Sequence, residues 1–207
     1  MGDKSQFTLD TLYFSKKKIS VANMNYRLAP KWKYDAPLVD ISTVLKLIDA
    51  DKDKYGLTAD YKIVLVGHSA GGHLVGLYCL KEASYGTKNA DFCIGLAGVY
   101  DLTKIYSDKE RKLIQGALDS FLGDTKPADA SPSYQVSTGE KTKFLLMLGS
   151  ADEMVSPEQM SAFETALKNK SVSVSANLIP GRTHNSLVGQ IPNSDEVAQK
   201  ILSFIGR

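Results

Sequence analysis

The chain has 207 residues, 25 of them basic and 23 acidic, for a formal charge of +2. That length suits a single domain, 1–207, with a sizeable core, and the near balance of charge supplies no strong field for nucleic acid. No run approaches the ~18 apolar residues of a membrane span and no secretory leader is visible. Cys79 and Cys93 lie in apolar runs without metal or redox spacing, as small buried hydrophobes in a reducing, cytoplasmic setting would.

In chain order, the pattern predicts a helix over 6–17 and a strand over Ile19–Met24. Leu38, Ile41, Val44, Leu45 and Ile48 recur at helical steps. A strand over Ile63–Val66 is followed by a helix from Gly72 to about Glu82, then a strand over Phe92–Leu96. The one long irregular stretch is 105–140, with a short helical piece over Arg111–Leu122. An insertion of that size between strands forms a lid or a substrate-binding surface, unless it is a plain surface excursion. A strand over Phe144–Leu148 leads to a helix opened by Ser156-Pro157-Glu158 and continued by Met160, Phe163 and Leu167. A strand over Val172–Ile179 and a last helix carrying Val197, Ile201 and Phe204 complete the chain. Most strand runs are continuously apolar, as in strands buried on both faces of a parallel sheet. The fold class is therefore α/β: a mostly parallel, doubly wound sheet with flanking helices.

Gly67-His68-Ser69-Ala70-Gly71 stands between the Ile63–Val66 run and the next helix. This is G-x-S-x-G in a strand–turn–helix setting. Glycines two positions either side of the serine are expected to let neighbouring chain pass close by, leaving the hydroxyl exposed above the sheet. Ser69 is the candidate nucleophile; the plain alternative is a Ser cap on a Gly-rich turn.

A serine nucleophile needs a base and an acid that orients the base. In a doubly wound sheet these gather at the carboxyl ends of the strands. Asp152 comes after the Phe144–Leu148 strand, and His184 after the last strand, in Pro180-Gly181-Arg182-Thr183-His184-Asn185. The order Ser69, Asp152, His184 is that of the α/β-hydrolase arrangement. Of the other histidines, His68 and His73 are tethered too close to the serine and are read as structural. For the acid, Glu153 is a neighbouring carboxylate, and Asp101 is a weaker candidate in a Tyr-Asp pair of the kind that caps turns.

Asn25-Tyr26-Arg27-Leu28-Ala29-Pro30 with Asp40, together with Gly67 to His73, resembles α/β-hydrolases of the hormone-sensitive-lipase-like esterase and kynurenine-formamidase groups. Gly98-Val99-Tyr100-Asp101-Leu102, Ala130-Ser131-Pro132, Gly149 to Val155 and Gly181 to His184 occur in those groups' order. The resemblance implies hydrolysis of small carboxylic esters through an acyl-enzyme, or of an aryl formamide, with no metal or organic cofactor. It also implies that the Ala70 backbone N–H is one oxyanion donor.

The H-G-G loop that supplies further donors in those groups has no counterpart before Asn25. Met1-Gly2-Asp3-Lys4-Ser5-Gln6 resembles the stretch just after that loop, so an N-terminally shortened sheet is expected. A start at an internal methionine, a short variant that borrows a strand in a homodimer, and a non-catalytic pseudo-hydrolase each account for it.

Overall fold

A computed structural model of the chain describes residues 3–104, 106 and 108–207. A short 3-10 turn at Lys4–Phe7 leads into α1 (Thr8–Lys16) and, after an irregular stretch, α2 (Asp35–Ala50). Strand β1 (Val64–His68) is followed by α3 (Ala70–Lys81), and β2 (Phe92–Leu96) by α4 (Asp108–Leu122) and α5 (Pro132–Gln135). Then come β3 (Lys143–Gly149), α6 (Pro157–Asn169), β4 (Val174–Ile179), α7 (Ser186–Gly189) and α8 (Glu196–Phe204). Among the described residues, no helix is long and apolar enough to cross a membrane.

The strands form one sheet in the order β1-β2-β3-β4, and every pairing is parallel. Parallel neighbours require a crossover between successive strands, so all strand ends point the same way and the loops after them share one edge. β2 is buried along its whole length, and β3 is buried apart from Lys143. The expectation of burial on both faces fails at the two outer strands: Val66 of β1 is 46% exposed and Leu178 of β4 is 49% exposed. An outer strand has one hydrogen-bonded neighbour, so apolar content does not by itself bury it.

Ile19–Met24, expected as a strand, forms none. β-branched residues favour a pleated surface only when a neighbouring strand receives them, and among the described residues β1 pairs with β2 alone. Side chains anchor this irregular segment instead. Asn23 Nδ2 donates to the Lys4 carbonyl at 2.8 Å, and the Lys4 N–H donates to Asn25 Oδ1 at 2.7 Å. Further on, Asp40 of α2 accepts both the Arg27 backbone N–H and its Nε, each at 2.8 Å, while the guanidinium lies 4.8 Å from the Trp32 ring centre.

The main core lies around the sheet, and a second cluster of Leu38, Ile41, Leu74, Leu77 and Tyr78 joins α2 to α3. Both cysteines are buried. Ser156 directly precedes α6, but its hydroxyl donates to Glu110 Oε2 at 3.2 Å instead of capping the helix.

Gln159 of α6, fully buried, fixes the loop after β2. Its Oε1 accepts the N–H groups of Tyr100 and Asp101 at 2.9 and 2.8 Å, and its Nε2 donates to the Asp101 carbonyl at 3.1 Å. Gln159→Leu keeps the volume but leaves two buried N–H groups without an acceptor. It is expected to destabilise the fold by about 2–4 kcal/mol, read as a fall in the urea midpoint at unchanged slope.

Candidate active site

The first part of the site is the abrupt turn from β1 into α3. Ser69 sits at φ 54°, ψ −118°, a conformation that side-chain-bearing residues rarely adopt. It is held from both directions: its N–H donates to the Leu96 carbonyl at 2.8 Å, and its carbonyl accepts the His73 N–H at 3.1 Å. The flanking glycines differ in importance. A Cβ on Gly67 would lie 2.1 Å from the Gly71 carbonyl oxygen, whereas one on Gly71 would meet nothing within 4 Å. The expected close approach therefore needs glycine at 67 and not at 71. Gly72 is also tight, because its Cβ would lie 3.1 Å from the Gly98 Cα.

The second part comes from the loops after β3 and β4. A Cβ on Gly149 would fall 2.0 Å from the Arg182 carbonyl oxygen, so glycine there lets the two loops touch. Ala151 N–H donates to that same carbonyl at 3.0 Å, and Gly181 N–H donates to Ser150 Oγ at 2.8 Å. Locked together, the loops bring the Asp152 carboxylate to His184. His184 Nδ1 lies 2.9 Å from Asp152 Oδ2 and 3.2 Å from Oδ1, and both side chains are almost wholly buried.

Asp152 Oδ1 also accepts the backbone N–H groups of Met154 and Val155, each at 2.8 Å. Burial opposes the carboxylate charge, but the bonds from His184, Val155 and Met154 outweigh it and hold the pKa below the usual carboxylate range. The other acid candidates are differently engaged. Glu153 Oε2 accepts the His184 backbone N–H at 3.3 Å and does not reach the ring. Asp101 Oδ1 accepts the N–H and the hydroxyl of Thr103, at 2.9 and 2.5 Å, within its own turn.

His73 is buried with Nδ1 2.7 Å from the Val99 carbonyl oxygen, and burial pushes its pKa down to about 4. His68 lies against His184, with ring centres 4.7 Å apart and Nε2 2.9 Å from the His184 carbonyl oxygen. The Ser69 hydroxyl makes no hydrogen bond among the described residues, so the elbow and the Asp152–His184 pair share an edge without a direct bond between serine and imidazole. Ala70 opens α3, where a backbone N–H has no intrahelical acceptor.

Sequence reasoning set His68 aside and missed Gln159. A histidine beside the serine in a five-residue motif gives no sign of what its ring will meet 116 positions later. Gly149 at the end of β3 was the available sign that two loops would be pressed together there.

The BD-FAE family model matches residues 1–167. Esterase LipQ of Mycobacterium tuberculosis is 28% identical over 200 residues, covering 89% of this chain and 47% of LipQ. Kynurenine formamidase of Meyerozyma guilliermondii is 27% identical over 205 residues, covering 91% of this chain and 73% of that enzyme. The chain thus spans about half the length of LipQ, and 44% of the length of LipC from the same bacterium. Among solved structures, an esterase/lipase from an uncultured bacterium superposes with a TM-score of 0.78 at 18% identity, covering 98% of this chain and 70% of that one. An acetyl ester-xyloside bifunctional hydrolase from Caldicellulosiruptor lactoaceticus gives 0.75 at 24% identity, covering 95% and 75%. Taken with the parallel sheet and the elbow between β1 and α3, the match over residues 1–167 shows that this chain belongs to the BD-FAE family of α/β-hydrolase-fold esterases.

Proposed function

We propose that the chain is a serine hydrolase of small carboxylic esters, with Ser69 as nucleophile, His184 as base and Asp152 as the acid that orients it. The observation that carries this reading is the buried Asp152–His184 pair on the sheet edge that also presents the strained Ser69 turn. In this mechanism Ser69 Oγ bonds to the ester carbonyl carbon while His184 Nε2 takes the hydroxyl proton. The negative charge gathers on the carbonyl oxygen, towards which the Ala70 N–H donates. Collapse breaks the bond to the alcohol oxygen, which leaves with the proton from His184. Water, deprotonated by the same imidazole, then releases the acid and restores Ser69. Proton-transfer hydrogen bonds are commonly long without substrate and tighten when it binds, so the unbonded Ser69 hydroxyl is compatible with this role.

The stretch 105–140 serves in this reading as the substrate-side insertion. It joins β2 to β3 and so leaves the sheet from the edge that carries Ser69. Ile105 and Ser107 lie outside the described residues.

A fluorophosphonate probe tests the proposal: labelling of Ser69 in the native protein, blocked by prior unfolding, is the expected result. Absence of label would favour a non-catalytic hydrolase fold. A second reading, arylformamidase, is supported by the coverage of 73% of the yeast formamidase, against 47% of LipQ. Turnover of N-formylkynurenine against p-nitrophenyl acetate separates the two.

A further inference from the structure

We infer that His68 is a positioning residue for His184: its Nε2–H holds the backbone carbonyl of the loop that carries the base, and so sets the imidazole against the Ser69 turn. The inference rests on the hydrolase reading for its catalytic meaning, and on geometry for the contact itself.

A base fixed only through its ring nitrogen can pivot about that bond. His184 is held at three points. Asp152 grips Nδ1 at 2.9 Å, Glu153 accepts the backbone N–H at 3.3 Å, and His68 meets the carbonyl at 2.9 Å. Asp152 and Glu153 both come from the loop after β3. They fix His184 relative to that loop and leave its relation to β1 open. Among the described residues, the hydrogen bond joining the elbow to the His184 loop is that of His68, the residue directly before Ser69. A shift of about 1 Å between nucleophile and base costs on the order of a hundredfold in rate.

The chemistry of the contact fixes the state of His68. A carbonyl oxygen only accepts, so Nε2 must carry the hydrogen. Burial first, and the neighbouring His184 second, push the His68 pKa down to about 4. A neutral donor suits the position, because His184 becomes cationic during turnover and a second cation 4.7 Å away would oppose it. Phe7, with its ring centre 6.5 Å from that of His68, packs on the same imidazole.

Three proteins decide the matter: wild type, His68→Leu and His68→Gln. A glutamine amide reaches about as far as imidazole Nε2 and still donates, whereas leucine does not. For p-nitrophenyl acetate, His68→Leu is expected to lose about 10–100-fold in kcat with KM within about twofold. His68→Gln should recover most of that loss, and both variants should melt within a few degrees of each other. The second readout is the His184 Nδ1–H proton resonance in protein labelled with 15N-histidine. It should stay sharp in wild type and His68→Gln, and broaden or shift in His68→Leu. Equal kcat in all three proteins, equal loss in both variants, or an unchanged His184 resonance in His68→Leu would overturn the inference. A wild type that neither turns over ester nor labels with fluorophosphonate sinks the hydrolase reading alone, because the resonance comparison still decides whether His68 holds His184.

Discussion

Asp152→Asn is expected to lower kcat for p-nitrophenyl acetate by about ten-thousandfold while leaving KM nearly unchanged. The reason lies in how the side chain is already used. Oδ1 accepts the Met154 and Val155 N–H groups at 2.8 Å, and an asparagine oxygen would take over both bonds. The amide nitrogen must then occupy the position of Oδ2 and donate to His184 Nδ1. A ring that accepts at Nδ1 carries its proton on Nε2, the nitrogen that has to receive the proton of Ser69. The loop keeps its shape and the base is lost through its tautomer. Steady-state kinetics beside a thermal melt check this, and a variant within tenfold of wild type would remove Asp152 from the mechanism. The pH dependence has a definite sign. The pKa of Asp152 is held below the ordinary value of 3.8, so its ionised form favours the folded chain. That contribution is fully present above 3.8 and is lost as the pH falls through the lower folded value. The stability gap between wild type and Asp152→Asn should therefore narrow in strong acid.

The features legible in the sequence were those written in short local patterns. The β2 and β3 strands announce themselves because four or five consecutive apolar residues fit a strand buried on both faces, and those strands are central. The elbow is legible because strand, glycine, serine and helix succeed one another without interruption. The contact between Asp152 and His184 was within reach of the sequence because parallel topology sends every strand end to one edge, so position after a strand stands in for position in space. What failed depends on partners distant in sequence. Ile19–Met24 has strand-like residues, but pairing is decided by whether β1 offers it a ladder, and the segment is tied down by Asn23 and Asn25 instead. Gly71 matches the motif without being sterically required, while Gly149, outside the serine motif, is required by a carbonyl from the next loop. Gln159 reads as an ordinary polar residue on an amphipathic helix. Its buried position is dictated by the loop it satisfies, which begins at Tyr100.

Ser69→Gly is expected to be more stable than both wild type and Ser69→Ala, while either substitution reduces ester turnover by about 10⁵–10⁶-fold. In the proposed mechanism the loss of activity comes from removing the attacking hydroxyl. The difference in stability comes from the backbone. At φ 54°, ψ −118° a Cβ is strained by about 1–3 kcal/mol, and alanine retains that Cβ. Glycine releases the strain but gains about 0.5–1 kcal/mol of freedom in the unfolded chain, which offsets part of it. A net gain of about 1 kcal/mol corresponds to roughly 2–4 °C in melting temperature for a chain of this size. The turn has no easy way to relax in Ser69→Ala, because the Leu96 carbonyl holds the serine N–H and the His73 N–H holds its carbonyl. Paired melts of the two variants isolate the backbone cost, since both lack the hydroxyl. If they melt together, the turn carries no strain, and the hydroxyl's position would have to come from side-chain packing alone. If glycine wins, the fold is holding the serine in a conformation it would otherwise leave, as the proposed role of a hydroxyl presented above the sheet requires.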